Sequence, residues 1–544
     1  MIKKSNIIYF FLINLFALCI FSIFYLKWIH IKNDVGRELY QAFAIATQGK
    51  TLYTDLTHYF GPLAPYSNAL FLKLVGETIF DFSLIGLILL SISAILIYFI
   101  GKTILSQTNS FWASIIFISL SAINNGGGSF FMPYSYSHTY GIVLTFVNLL
   151  ILLYLKKEYS LSFQFLYNVS LSLLLFTKQE YILVYLGFQI AYFFVCLQDF
   201  KKQLLKIGFI QFITSSILIL FWHHILFIDY SVWELLSSSK HMFQQHNSSV
   251  FKNFLMLYSP STFILAIITL FPYFFIIAIS QLVKQFQSKW LIIIAISVFC
   301  IFLNLNSITE EWLNRSFLWN WLTLLFTVYS CYLILFRKHV IDNVFIILFI
   351  SFVLYNRQQS SSWMWQGLNL LILIYIIQKI TDFFRNPLIK QIIIGLLLLF
   401  GIYAIPFKLN QRWDSLNVTS ITGESIPVNK DWAKPIQNAI DFIDSTPITS
   451  TVYTGQETAW LNLLTHRYNN IRNQQWWGYM KDEIIEDILI TKPEYIVVST
   501  YPIENKFRLF GGGNLIYESI LLSYNEIQTF QNEHIKIEIL HLND

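Results

Sequence analysis

Residues 33–76 read NDVGRELYQAFAIATQGKTLYTDLTHYFGPLAPYSNALFLKLVG. Asn33 is a good N-cap, and a helical pattern runs from it to Gln48, where Gly49 supplies a C-terminal stop. Asp34 and Glu38 share a face in the first turn, with Arg37 beside them. Acids there are favoured by the helix dipole, which accounts for both without any function. After the turn TQGKTLYTD comes Pro62, then a second apolar helix at 65–76. Both helices are amphipathic and short of the roughly 20 apolar residues a span needs, so they should lie along a membrane surface. Asp34 is thereby expected just past the end of the first span, at the water–lipid boundary.

Outward from this loop, at 30–81, the chain is overwhelmingly apolar. Thirteen runs read as spans: 7–29, 82–101, 110–124, 139–155, 160–177, 181–198, 207–228, 261–283, 290–305, 316–336, 340–355, 363–378 and 391–406. Only helices or closed barrels satisfy the backbone in lipid, and these are solid runs instead of alternating strands. The expected fold is a polytopic α-helical membrane protein of about 13 transmembrane helices, residues 1–406, with a small α/β C-terminal domain at 407–544. Of the 544 residues, 55% are hydrophobic and only 12% charged, where globular domains carry about 25%. No basic face or recognition motif is present, so nucleic acid is excluded as a partner. Lys3 and Lys4 ahead of the first run read as a retained signal anchor. Cys19, Cys196, Cys300 and Cys331 all lie in apolar runs and read as buried small hydrophobes.

Basic residues choose the orientation. With the N-terminus in the cytoplasm, the inner connectors receive 15 of the 25 Lys and Arg before residue 407, among them Lys102, Lys156, Lys157, Lys201 and Lys202. That obeys the positive-inside rule and places the tail outside, in a multi-pass protein of the cell (inner) membrane. Acids fall the other way, at Asp34, Glu38, Asp55, Glu77 and Asp81 in the first outer loop alone. The tail, with 11 Lys and Arg against 17 Asp and Glu, predicts a helix over 431–444. Strands are expected at 451–454, 495–500 and 535–540, with helices near 482–490 and 515–523.

The first loop resembles that of membrane glycosyltransferases of the GT-C type, in the branch of protein O-mannosyltransferases and aminoarabinose transferases (glycosyltransferase family 39-like). That group shows an Asp soon after the first span, then Gly-Lys-x-x-Tyr-x-Asp, then Gly-Pro-Leu. The matching residues are Asp34, Gly49, Lys50, Tyr53, Asp55, Gly61, Pro62, Leu63, Tyr66, Asn68 and Gly76. Thr177-Lys178-Gln179-Glu180 at the outer end of the fifth span is a second local match. One departure is Val35, where many relatives have Glu directly after the Asp.

The resemblance implies inverting transfer of a sugar from a polyprenyl-phosphate donor to an extracytoplasmic lipid, glycan or protein. Asp34 would be the catalytic base, with Glu38, Asp55, His58, Lys178, Arg315 and Arg357 expected to bind substrate. Among the variants, Asp55→Asn is expected to be more damaging than Glu38→Gln. No cofactor is expected. His223-His224 sits in a span end without HxH or HExxH spacing, which leaves an acid-pair site as the one metal arrangement still open. Two rivals stand beside this reading: an outer-face polysaccharide polymerase or ligase, and a lipid-linked sugar flippase or transporter. The transporter should carry charges within its spans, near the midplane.

Overall fold

In a computed structural model of the protein, the described residues are 4–24, 35–58, 60–122, 130–133, 135–178, 181–199, 204–226, 415–455, 458–467, 471, 481–503, 506–509 and 513–543. The six expected spans from 261 to 406 lie outside them, as do Asp34, Arg315 and Arg357.

The first seven expected spans correspond to helices: α1 (Lys4–Phe24), α4 (Ile79–Ile104), α5 (Gln107–Ser121), α6 (Tyr136–Lys157), α7 (Leu161–Leu174), α8 (Tyr181–Asp199) and α9 (Leu204–Leu226). Four of these, α1, α4, α6 and α9, are long and apolar enough to cross a membrane; the others are shorter or apolar over a shorter stretch. Several begin about three residues before their apolar run does, because a polar cap sets the start. Thr78 accepts from the Asp81 N–H while the Asp81 carboxylate accepts from the Thr78 N–H at 2.9 Å, a reciprocal capping box that opens α4. Ser135 opens α6 in the same way, accepting from the His138 N–H.

Helix α4 packs on α5 and α6, α6 on α7 and α8, and α7 on α9. A seam of uncharged polar groups joins them. Gln189 donates to Tyr185 (2.9 Å), Gln211 to Gln189 (3.2 Å), Ser215 to Asn168 (3.2 Å) and Ser170 to Asn148 (2.8 Å). Such bonds hold helices together where apolar burial gives no net drive. Charged residues of the described long helices sit at their ends, Asp81 and Lys102 in α4 and Lys156 and Lys157 in α6.

Between α1 and α4 lie α2 (Val35–Gln48) and α3 (Leu63–Val75). Helix α3 exposes Leu70, Leu74 and Val75, an apolar face fit for lipid. Helix α2 departs from the expected surface helix: Val35 through Ile45 are all buried, because its second face is covered by the tail.

The tail begins with a hairpin, β1 (Ser415–Thr419) and β2 (Ser425–Asn429), followed by α10 (Lys430–Ser445), which Asn429 caps. The remaining elements are β3 (Val452–Thr454), α11 (Ala459–Leu464), α12 (Lys481–Thr491), β4 (Tyr495–Ile503), β5 (Lys506–Arg508), α13 (Asn514–Ile520), β6 (Tyr524–Gln531) and β7 (Lys536–Leu542). Their sheet runs β3-β4-β7-β6, with β3 parallel to β4, the other pairs antiparallel, and β5 extending β4. The expected helix at 431–444 and strands at 451–454, 495–500 and 535–540 are α10, β3, β4 and β7. One continuous apolar cluster runs from the membrane helices through α2 into Val418, Ile436, Trp460 and Leu464 of the tail.

Candidate functional site

The first loop is stapled by its own motif residues. Gly49 (φ 67°) ends α2 and Tyr53 (φ 67°) takes the same left-handed conformation, which its hydroxyl helps to hold by donating to the Phe60 carbonyl at 2.6 Å. Asp55 accepts from the Thr51 N–H and hydroxyl, both at 2.8 Å, and closes the turn between them. Tyr66 accepts from the Leu52 N–H (3.3 Å), and Asn68 accepts from Tyr140 of α6 (3.0 Å). Gly-Pro-Leu is a docking strip. The Gly61 and Leu63 N–H groups donate to the carbonyls of Thr177 (3.0 Å) and Phe176 (2.9 Å), at the end of α7. A Cβ at Gly61 would sit 2.2 Å from the Phe176 oxygen, so no other residue permits this approach.

That docking brings Lys178 to the loop. Its ammonium lies 4.7 Å from the Phe60 ring centroid, and the Arg37 guanidinium lies 5.8 Å from the same ring. Two cations from different elements thus flank one aromatic ring. Arg37 and Glu38 are only 5% and 3% exposed, in the first turn of α2. The Glu38 carboxylate accepts from the Tyr136 N–H at 2.7 Å, at the start of α6, where the helix dipole favours a negative charge. Glu38 therefore ties α2 to α6.

His58 lies beneath this group, fully buried. Its Nδ1 is 2.9 Å from Gln41 Oε1, which makes Nδ1 the protonated nitrogen, and Nε2 faces the Gly61 carbonyl at 3.3 Å. Gln41 in turn donates to the Thr57 carbonyl (2.7 Å). Burial, then the nearby Arg37 charge, pulls the His58 pKa down to about 3 against the opposing Gly61 carbonyl. The ring is neutral at physiological pH and cannot serve as a cation. Lys50 occupies a different setting, its pKa lowered by burial while Asp55 and the tail's Asp487 oppose that shift.

Of the expected site residues, His58 and Lys178 converge around Phe60, Glu38 is bonded to the start of α6, and Asp55 is exposed in its turn and belongs to the Lys50 side. Asp34 directly precedes α2 in the sequence but lies, like Arg315 and Arg357, outside the described residues. Arg37 is the residue the sequence reading passed over as a site residue. A basic group in the first turn of a helix opposes the dipole, and that misfit was its signal. Among the described residues no three His, Cys, Asp or Glu side chains converge, so no metal donor set is present there.

The fold is that of the GT-C type membrane glycosyltransferases. It is similar to the oligosaccharyltransferase of Archaeoglobus fulgidus in complex with zinc and sulfate, with a TM-score of 0.53 over 96% of this chain and 79% of that one. The same archaeal enzyme, AglB, in complex with an inhibitory peptide and a dolichol-phosphate matches with a TM-score of 0.50, covering 97% and 80%. Identity is 11% in both, so the likeness is one of fold. No protein-family model and no curated protein sequence matches the chain.

Proposed function

We propose that the protein is an integral-membrane inverting glycosyltransferase that moves a sugar from a polyprenyl-phosphate donor to an extracytoplasmic acceptor. The observation that carries this reading is the pair of cations on the Phe60 ring, Arg37 from the first turn of α2 and Lys178 from beyond the end of α7. The dolichol-phosphate bound by the archaeal neighbour of the same fold supports a lipid-phosphate donor.

The chemistry assigns each group a task. Asp34 removes the proton of the acceptor hydroxyl as its oxygen attacks the anomeric carbon from the face opposite the phosphate, inverting the configuration. The bond from that carbon to the phosphate oxygen breaks, and the lipid phosphate leaves with the electron pair. Lys178 and Arg37 meet the charge developing on the phosphate, while the Phe60 ring excludes water and keeps both cations aimed. Glu38 and His58 hold α2 in place, and Arg315 and Arg357 join the phosphate-binding set. The transporter reading is less well supported, because the charges of the described long helices sit at the ends and the seam between helices is uncharged.

The test is sugar transfer from a purified polyprenyl-phosphate sugar by membranes carrying the wild type or Asp34→Asn. Asn keeps the shape but cannot take the proton, so transfer should fall about 10²-fold or more at normal protein level. Full activity in Asp34→Asn would remove the base assignment, and absence of transfer by the wild type with every such donor would favour the transporter.

A further inference from the structure

Helix α11 is six residues long and buried on every side, an unusual state for a helix in an extramembrane domain. One side is bolted to the tail. The Thr422 hydroxyl donates to the Leu464 carbonyl (3.0 Å), and the Arg467 guanidinium just beyond donates to the carbonyls of Thr446 and Pro447, both at 2.6 Å, and of Ile443 at 3.2 Å. Those carbonyls end α10, where the helix dipole favours a cation.

The other side rests on α2. A Cβ at Gly36 would lie 3.1 Å from both Cβ and Cδ1 of Trp460 and 3.3 Å from its backbone nitrogen, so α2 packs closely on α11 there and a larger residue would push Trp460 aside. Ala459 joins Tyr40, Ala44, Leu52 and Leu56 in a second apolar cluster, and His466 meets the Phe43 ring edge-on at 6.1 Å. Further along, Glu424 lies near the backbone N–H of Ile79 at the start of α4, and Asp487 lies near Lys50. The tail thus grips the first loop at α2, at the 49–56 turn and at the entry to α4.

We propose that α11 is a strut through which the tail positions α2, and that Trp460 is a positioning residue for the reaction at the first turn of that helix. Gly36 lies between Asp34 and Arg37 in sequence, so a shift of α2 at Trp460 moves the proposed base and the proposed phosphate contact together. The catalytic consequence rests on the transferase reading; the strut itself does not.

Two readouts on the full-length protein separate them. In Trp460→Ala, amide hydrogen exchange over residues 35–48 should rise about tenfold or more. The turnover number should fall about tenfold, with a smaller rise in KM for the polyprenyl-phosphate sugar, because Arg37 moves with α2 while Lys178 and the lipid contacts stay in place. Trp460→Phe should restore both. Gly36→Val should lower turnover in the wild type and cost clearly less in Trp460→Ala, where the space it needs has been opened. Exchange and turnover both within twofold of wild type in Trp460→Ala would overturn the proposal. So would a Gly36→Val cost that is unchanged by removing the indole. Raised exchange in Trp460→Ala, when the wild type itself transfers no sugar from any such donor, would leave the strut standing and remove the transferase reading instead.

Discussion

Two acids of the first loop live in opposite surroundings. Glu38, in the opening turn of α2, is buried and holds the N-terminus of α6 through a 2.7 Å bond. Asp55, in the turn after α2, is exposed and accepts from the N–H and hydroxyl of its neighbour Thr51. The cations beside them differ in the same sense. Lys178 lies over an aromatic ring with Arg37 close by, whereas Lys50 faces the acids Asp55 and Asp487. An anionic substrate is attracted most strongly by cations held in a low-dielectric setting, where their charge is least screened. This contrast agrees with the proposal that the first turn of α2 is the reacting end of the loop, while the 49–56 turn lies near the tail's Asp487.

The largest effect expected from this contrast is at Lys178. Lys178→Ala should lower transfer about 10²-fold, the typical loss when one preorganised charge partner of a transition state is removed. Lys50→Ala should stay within threefold, and equal losses at the two would erase the contrast. Next comes Glu38→Gln, which removes a charged acceptor from a buried helix start and should lower stability by about 2 kcal/mol. The thermal midpoint in detergent should drop by several degrees and transfer by about tenfold.

His58 gives a pH signature. Its folded pKa of about 3 lies below the ordinary 6.5, so the unfolded chain binds the extra proton between those values. The stabilisation is complete above pH 6.5 and is lost as pH falls toward 3, with a slope of up to about 1.4 kcal/mol per pH unit. His58→Gln should flatten the fall in thermal midpoint between pH 6 and pH 4; an unchanged slope would mean that the ring is not buried neutral. Asp55→Asn should have the smallest effect, within about threefold on transfer, since its turn keeps a hydrogen-bonding side chain exposed to water. This places Asp55 below Glu38, the reverse of the order the sequence suggests. A loss at Asp55 exceeding that at Glu38 would return the chemistry to the 49–56 turn.

Much of this was legible in the chain. The apolar runs announced the helices, and Asn33, Gly49 and Pro62 divided the first loop into its two helices. Helices α4, α5 and α6 start a few residues ahead of their apolar runs because hydropathy marks lipid contact, whereas Thr78, Ser106 and Ser135 mark where the backbone begins to wind. The motif residues Tyr53, Gly61 and Asn68 stood out, but only the contacts show that they staple the loop. Helix α11 was invisible: six residues buried all round carry no periodicity, and its partner surface is more than 400 residues away in sequence. Strand β6 was equally hidden, since YNEIQTFQ is an edge strand whose side chains are mostly exposed. The charge contrast between the two ends of the loop came from tertiary structure alone, through the docking of Gly61 on the end of α7.

The most direct measurement is the affinity of the purified full-length protein for a polyprenyl phosphate that carries no sugar, which isolates the phosphate contact from catalysis. Lys178→Glu should weaken binding at least tenfold and Lys50→Glu should leave it within twofold. Unchanged binding in Lys178→Glu, or a loss confined to Lys50→Glu, would contradict the placement of the phosphate at Phe60.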